Sequence, residues 1–110
     1  MKNIFKGNIV DAFQNKIYYG EIEVENGIIT SILPKEGKSE VFILPGFIDA
    51  HVHIESSMLS PARFGIEAAK HGTVAILTDP HEISNVLGVK GFNYMIESAK
   101  SSSIKTFFGV

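Results

Sequence analysis

Two histidines separated by one residue, His51 and His53, are the side chains of this sequence with the clearest potential for chemistry. The apolar run before them indicates a β-strand, in which side chains at positions i and i+2 point to the same face. Two imidazoles on one strand face can bind one metal ion with little backbone strain. The spacing alone is equally compatible with two surface histidines at a strand end, because imidazole also serves structural roles.

A second group of ionisable side chains follows the next apolar run, in the segment Asp79-Pro80-His81-Glu82. Such side chains at the end of a buried strand are costly to bury unless they have a function. The alternative is a solvated turn that starts a helix, with Asp79 as N-cap and Glu82 as its capping-box partner. Taken without its context, the segment favours this structural interpretation.

The elements that precede the histidines are predicted to be short β-strands. Residues 21–25 alternate polar and apolar side chains, and residues 28–33 form a second, mostly apolar run. The Asn-Gly pair at 26–27 lies between them, which predicts a hairpin because both residue types tolerate positive φ. Residues 34–39 are expected to form a loop, and residues 41–44 a further short strand.

From Pro45 onward the pattern alternates between strands and helices. Ser60 and Pro61 are typical of a helix N-cap and first helical position, and Gly72 of a helix end. This alternation predicts a parallel sheet with right-handed crossovers, as in α/β proteins. The predicted order is a strand ending at His53, a helix with Ala62, Ile66 and Ala69 on one face, a buried strand at 74–78, a helix with Val89, Phe92, Ile96 and Ala99 on one face, and a strand at 104–110.

Two parts are therefore expected, residues 1–44 as a small β-sandwich-like segment and residues 45–110 as the start of a larger α/β fold. The second part fits either the first strands of a (β/α)8 barrel or a smaller doubly wound sheet. A barrel usually needs about 250 residues. A chain of 110 residues would hold only the first strands of one.

Composition excludes several classes of function. The net charge of −2 gives no electrostatic basis for binding nucleic acid, whose partners usually carry a basic patch. Without cysteine the chain has no disulfides and no thiolate metal ligands, which fits a cytoplasmic protein. No segment approaches the roughly 18 apolar residues that would predict a membrane span. The N-terminal residues are interpreted as mature protein and not as a signal peptide.

The segment Pro45-Gly46-Phe47-Ile48-Asp49-Ala50-His51-Val52-His53 resembles the first-strand signature of the amidohydrolase superfamily, PGxIDxHxH. Enzymes of that superfamily are (β/α)8 barrels that hold one or two divalent metals at the C-terminal mouth of the barrel. The resemblance implies that His51 and His53 are metal ligands. Asp49 shares their strand face, and for it a structural role is favoured over a hydrogen bond to an imidazole.

The segments Ile54–Pro61 and Asp79–Val86, IESSMLSP after the histidine pair and DPHEISNV after the second strand, are similar to the adenine deaminase branch of the superfamily. The resemblance implies a binuclear centre, with manganese as first choice and iron or zinc as alternatives. A metal-activated hydroxide would attack C6 of adenine and release ammonia, giving hypoxanthine. It also implies a homo-oligomer. The candidates for contacting the purine or supporting the metal ligands are Glu55, Asp79, His81 and Glu82, with the roles among them left open.

Two alternatives remain open at this point. One is another amidohydrolase, similar to dihydroorotase, hydantoinase or N-acetylglucosamine-phosphate deacetylase, although the segments HIESS and DPHE argue against it. The other is a non-catalytic folding or interaction module, because two ligands on one strand do not complete a metal site of four or five ligands. The leading interpretation is therefore an incomplete N-terminal part of an adenine deaminase, inactive by itself.

Overall fold

The structure is a computed structural model that describes residues 1–109. The chain divides into two compact units, Met1–Pro45 and Gly46–Val110. Each unit is built around its own β-sheet, with four strands in the first and three in the second.

The first unit is a four-stranded sheet with the order β3-β2-β1-β4. β1 and β2 pair antiparallel along their full length, β3 pairs antiparallel with residues 20–25 of β2, and β4 lies parallel to β1. β1 and β2 each contain 10 residues, so the expectation of short strands throughout this segment was wrong. The strands are β1 (Lys2–Asp11), β2 (Lys16–Glu25), β3 (Ile28–Pro34) and β4 (Phe42–Ile43).

The hairpin predicted at the Asn-Gly pair is confirmed. Glu25 of β2 faces Ile28 of β3, which leaves a two-residue turn between the strands. Asn26 and Gly27 have φ values of 52° and 80°. Both turn positions are therefore left-handed, as a two-residue turn that follows the natural twist of the strands requires.

The second unit contains three parallel strands in chain order, β5-β6-β7. The predicted parallel sheet is therefore confirmed. The helices connect its strands, α1 between β5 and β6, and α2 with α3 between β6 and β7. The elements are β5 (Phe47–Val52), a 3₁₀ helix (Ile54–Ser57), α1 (Pro61–Lys70), β6 (Thr73–Thr78), α2 (His81–Leu87), α3 (Val89–Ala99) and β7 (Lys105–Phe108).

Two helices lie between β6 and β7, where one was expected. Gly88 separates them with a φ of 60°, a conformation that ends a helix and that glycine adopts without steric cost. α1 starts at Pro61 after Ser60, as predicted, and Gly72 follows its end with a φ of 87°. Within the described part of the chain, no helix is long and apolar enough to cross a membrane.

The core of the second unit lies between one face of the sheet and the helices. Its buried side chains are Ile54, Ile76, Met95 and Ile104. The predicted inward faces of the helices were partly wrong, because Ile66 of α1 and Val89 of α3 are exposed. Pro61 and Gly65 are buried on α1, and Gly91 and Met95 on α3. The spacing identified the helices, but the glycines allow close approach to other segments, Gly65 to Ser102 and Gly91 to the backbone of Ile83.

β6 was predicted to be buried throughout, and it is buried in part. Ala75, Ile76 and Thr78 are buried, whereas Val74 and Leu77 are exposed. Strand side chains alternate between the two faces of a sheet. Val74 and Leu77 are three positions apart and therefore lie on opposite faces, so the exposed positions of β6 are not confined to one face of the sheet.

Gly46 allows the chain to enter β5 close to β6. A Cβ at position 46 would overlap Cγ1 of Val74 and lie 2.8 Å from Cγ2 of the same side chain. Real Cβ atoms do not approach other carbons so closely, since packed protein interiors leave no such overlap. The glycine of the Pro-Gly pair is therefore required by packing at the point where the strand of the two histidines begins.

We expect Gly46→Ala to destabilise the protein by about 1–3 kcal/mol, because the added methyl group would overlap Val74 and force one of the two to shift. Val74→Ala removes the two methyl groups in the way and should recover at least half of that loss in the double variant. Val74 is exposed, so its single substitution serves as the control with a small effect. The measurement is the free energy of unfolding from chemical denaturation. If the Gly46→Ala variant and the double variant lose equal stability, the packing explanation is wrong.

Candidate functional site

The parallel pairing of β5 and β6 brings the carboxyl ends of the two strands together. Val52 pairs with Thr78 at the last register position, and Asp79 N donates to Val52 O at 3.4 Å. The residues that follow each strand therefore emerge side by side. In parallel α/β sheets this edge is where binding sites form. His53 follows one strand end and Asp79 follows the other.

His51 and His53 converge, as their common strand face predicts. Their Nε2 atoms are 3.1 Å apart, and their rings meet edge to face with centroids 4.7 Å apart. His51 is exposed and His53 is partly buried. Two ring nitrogens at this separation either share one proton in a hydrogen bond or face one common ligand.

The other ring nitrogen of His53 faces the backbone after β6. Nδ1 of His53 is 3.0 Å from the carbonyl oxygen of Asp79. A carbonyl oxygen only accepts, so the hydrogen bond requires the proton on Nδ1. The neutral ring then carries its free lone pair on Nε2, directed at His51. This arrangement, in which a backbone carbonyl fixes the tautomer, is typical of histidines that bind metals.

Asp79 and His81 lie next to this pair. The Asp79 Oδ2 and His81 Nδ1 atoms are 3.4 Å apart, and the rings of His53 and His81 meet at right angles with centroids 4.7 Å apart. One possible ligand atom from each of His53, Asp79 and His81 lies within 4.8 Å of the others. Nitrogen and oxygen donors in one group are the donor set that divalent transition metals accept.

Asp79 does not cap a helix, contrary to the structural alternative. Pro80 is the N-cap of α2, and the Asp79 carboxylate lies beside His81. A residue that precedes proline is directed to extended backbone, so Asp79 stays outside the helix and α2 starts at His81. Glu82 is likewise not a capping-box partner, because Glu82 Oε1 accepts a hydrogen bond from Ser56 Oγ at 2.5 Å.

The Glu55 carboxylate contacts α2, which carries Glu82, and the Glu82 carboxylate contacts the 3₁₀ helix, which carries Glu55. Neither carboxylate is directed at the histidine rings. Glu55 Oε1 accepts from the backbone N–H of Ile83 at 3.4 Å, while Glu82 is held by Ser56. The structure thus brings His51, His53, Asp79 and His81 together and places the two glutamates beside them.

Two polar contacts of the site were not identified from the sequence. Ser56 could have been found, since it is a polar residue within the segment that follows the histidines. The carbonyl of Asp79 has no sequence signal, because every residue carries one. Asp49 accepts a hydrogen bond from the backbone N–H of His51 at 3.1 Å. Asp49 is exposed, and the structural role favoured for it stays a prediction.

Comparison with known proteins places this geometry in a family. Residues 42–110 match the amidohydrolase family, a range that covers β4 and the whole second unit. The chain belongs to the amidohydrolase family. Members of this family generally use a divalent metal, which agrees with the grouping of imidazoles and a carboxylate at the strand ends.

Curated relatives match almost the whole chain. Adenine deaminases of Methanosphaera stadtmanae and Methanosarcina barkeri are 51% and 53% identical to it, each over 96% of this chain and 19% of their own length. The adenine deaminase of Borreliella afzelii is 49% identical over 97% of this chain and 20% of its own length. The chain spans about one fifth of the length of these amidohydrolases.

The geometry predicts which nitrogen of His53 carries the proton in the metal-free protein. At pH 9, where imidazole is neutral, we expect His53 to be the Nδ1–H tautomer because Nδ1 donates to the Asp79 carbonyl. Long-range ¹H–¹⁵N correlation spectra report the tautomer of each ring. His71, at the end of α1, is the control and should show the ordinary mixture dominated by Nε2–H. A protonated Nε2 on His53 would contradict this hydrogen-bond assignment.

Proposed function

We propose that this chain forms part of an adenine deaminase, an enzyme that hydrolyses adenine to hypoxanthine and ammonia. The observation that supports this most directly is the identity of about one half to adenine deaminases across nearly the whole chain. That stretch includes both the His51-Val52-His53 segment and the Asp79–Glu82 segment. The chain would be the N-terminal part of the enzyme, and further ligands would come from the rest of a polypeptide of the relatives' length.

The residues fit a divalent metal. A separation of 3.1 Å between the Nε2 atoms of His51 and His53 suits two nitrogens in adjacent coordination positions, each about 2.0–2.1 Å from one ion. His53 Nε2 presents a lone pair, since the proton of the neutral ring is on Nδ1, which donates a hydrogen bond to the Asp79 carbonyl. Manganese is our first choice, with iron or zinc as alternatives, in a binuclear centre. Such a metal lowers the pKa of bound water and supplies hydroxide at neutral pH.

Asp79 and His81 are the residues that we assign to the purine side of this reaction. Hydrolysis breaks the bond between C6 and the exocyclic nitrogen of adenine, adds the water oxygen at C6, and delivers protons to the departing ammonia. The pair of Asp79 Oδ2 and His81 Nδ1, 3.4 Å apart, can hold one proton beside His53. Both side chains are more than two-fifths exposed, so a ligand can reach them from solvent.

We further propose that residues 45–110 supply the first strands of a (β/α)8 barrel, and that residues 1–44 belong to a small β-sandwich-like part. Three parallel strands in chain order, joined by helices, are the arrangement with which such a barrel begins. A homo-oligomer acting on a small molecule in the cytoplasm completes the proposal. The absence of cysteine from the sequence is in keeping with that compartment.

The ligand assignment predicts the metal content of variants. In an enzyme of full length, His51→Ala and His53→Ala should each lower bound metal severalfold and reduce deaminase activity by at least about 100-fold, since both nitrogens face the same point. His71→Ala is the matched control, because it removes an exposed histidine outside the site. Metal analysis after gel filtration and an ammonia-release assay provide the measurements. Wild-type metal content in both site variants would rule out the assignment.

A polypeptide of residues 1–110 alone is predicted to release no ammonia from adenine. Catalysis needs the nucleophile to be held against metal and substrate in one geometry, and two ligands on one strand leave the metal insufficiently enclosed. The assay uses adenine with added manganese, a metal-only blank, and an enzyme of the relatives' length as positive control. Turnover above the blank would show that these residues form a complete site.

A further inference from the structure

The 3₁₀ helix after β5 and the first turn of α2 are joined by two side-chain hydrogen bonds. Ser56 Oγ donates to Glu82 Oε1 at 2.5 Å, and Ile83 N donates to Glu55 Oε1 at 3.4 Å. The donors and acceptors are adjacent residues on both segments. The two bonds therefore form one connection, which we call the Glu55–Ser56 clamp.

Helix α2 depends on this clamp because it has no cap of its own. The first N–H groups of a helix lack partners within the helix. Within residues 1–109, no side chain at the N-cap position, Pro80, bonds to them. Glu55 supplies an acceptor from another element, and a carboxylate is favoured by the positive end of the helix dipole. α2 has seven residues, and Ile83 packs it against the core.

The same turn carries the residues that face His53. The carbonyl oxygen of Asp79 accepts a hydrogen bond from His53 Nδ1 at 3.0 Å, and the ring of His81 lies against the ring of His53. Any shift of the first turn of α2 would move His81, and with it the Asp79 carbonyl. The position of Glu55 thus affects the orientation of His53 without any contact between Glu55 and the ring.

The two carboxylate oxygens of Glu55 have different surroundings. Its Oε2 atom is buried, and no hydrogen-bond partner for it exists among residues 1–109. A polar atom buried in this way is costly unless the group is held there for a purpose. The bond of Oε1 to Ile83 N gives that purpose, since it requires the side chain to turn away from solvent.

We propose that Glu55 is a positioning residue, whose carboxylate fixes the first turn of α2 and thereby holds Asp79 and His81 against His53. This inference rests on the proposed deaminase function. It separates Glu55 from the side chains that would touch the purine. It also predicts that kcat depends on the acceptor oxygen of Glu55 and not on the charge of its carboxylate or its ability to transfer a proton.

The two substitutions that test this differ in what they keep. In the metal-loaded enzyme of full length, Glu55→Ala should lower kcat on the order of 10–100-fold, with KM for adenine within about twofold, as for other residues that orient ligands. Glu55→Gln keeps an acceptor for Ile83 N and should restore kcat to within about threefold of the wild type. An equal loss in both variants would assign proton transfer to Glu55 and overturn the proposal.

A second readout does not depend on adenine. Hydrogen exchange of the backbone amides of residues 81–87 should be faster in Glu55→Ala and close to the wild type in Glu55→Gln. Glu97→Ala, which removes an exposed partner of Lys100 on α3, should leave both exchange and kcat unchanged. If the wild-type enzyme does not deaminate adenine, the proposed function fails, while the exchange rates still decide whether Glu55 holds α2.

Ser56→Ala gives an independent test in case Glu55→Ala does not fold. It removes the bond to Glu82 and keeps the carboxylate of Glu55 in place. Exchange in α2 should rise by a smaller factor than in Glu55→Ala, because one of the two bonds remains. Unchanged exchange of α2 in Ser56→Ala would contradict a clamp that acts through both contacts.

Discussion

The parallel pairing of β5 with β6 is the interaction on which the site depends. The pairing runs from Phe47 opposite Thr73 to Val52 opposite Thr78, with register shifts between Phe47 and Ile48 and between Asp49 and Val52, and it fixes how far each strand extends before its chain turns away. Because the pairing ends at the same level on both strands, the polar segments that follow are neighbours. A slip of one residue in this register would turn one set of side chains to the opposite face.

The main chain contributes as much to this site as the side chains do. Asp79 takes part through its carbonyl, its amide and its carboxylate, which face His53, Val52 and His81 respectively. The bond from the Asp79 amide to Val52 continues the strand pairing, and the Asp79 carbonyl lies at the start of α2, so the main chain holds the ring of His53 with little loss of side-chain freedom. Side chains that are held in their binding orientation before the ligand arrives lower the cost of binding it.

The sequence predicted those features that repeat at short range. The convergence of His51 and His53 follows from the two-residue period of a strand, and the hairpin follows from the turn chemistry of Asn-Gly. Helix α2 was missed because residues 79–85 are mostly polar, so the predicted helix included only residues from Val89 onward. The contacts of the Glu55 and Glu82 side chains could not be predicted from the sequence, because they join two segments that meet only after the sheet has formed. The roles proposed for the site residues remain predictions.

The strands of the second unit follow one another in both sequence and space, and this has a consequence for how the chain folds during synthesis. His53 and Asp79 are only 26 positions apart, so the loop that must close to join them is short and its entropic cost is modest. Contacts between near neighbours in sequence favour fast folding. As residues leave the ribosome in order, the histidine pair and its carbonyl partner are available to each other before any later strand has emerged.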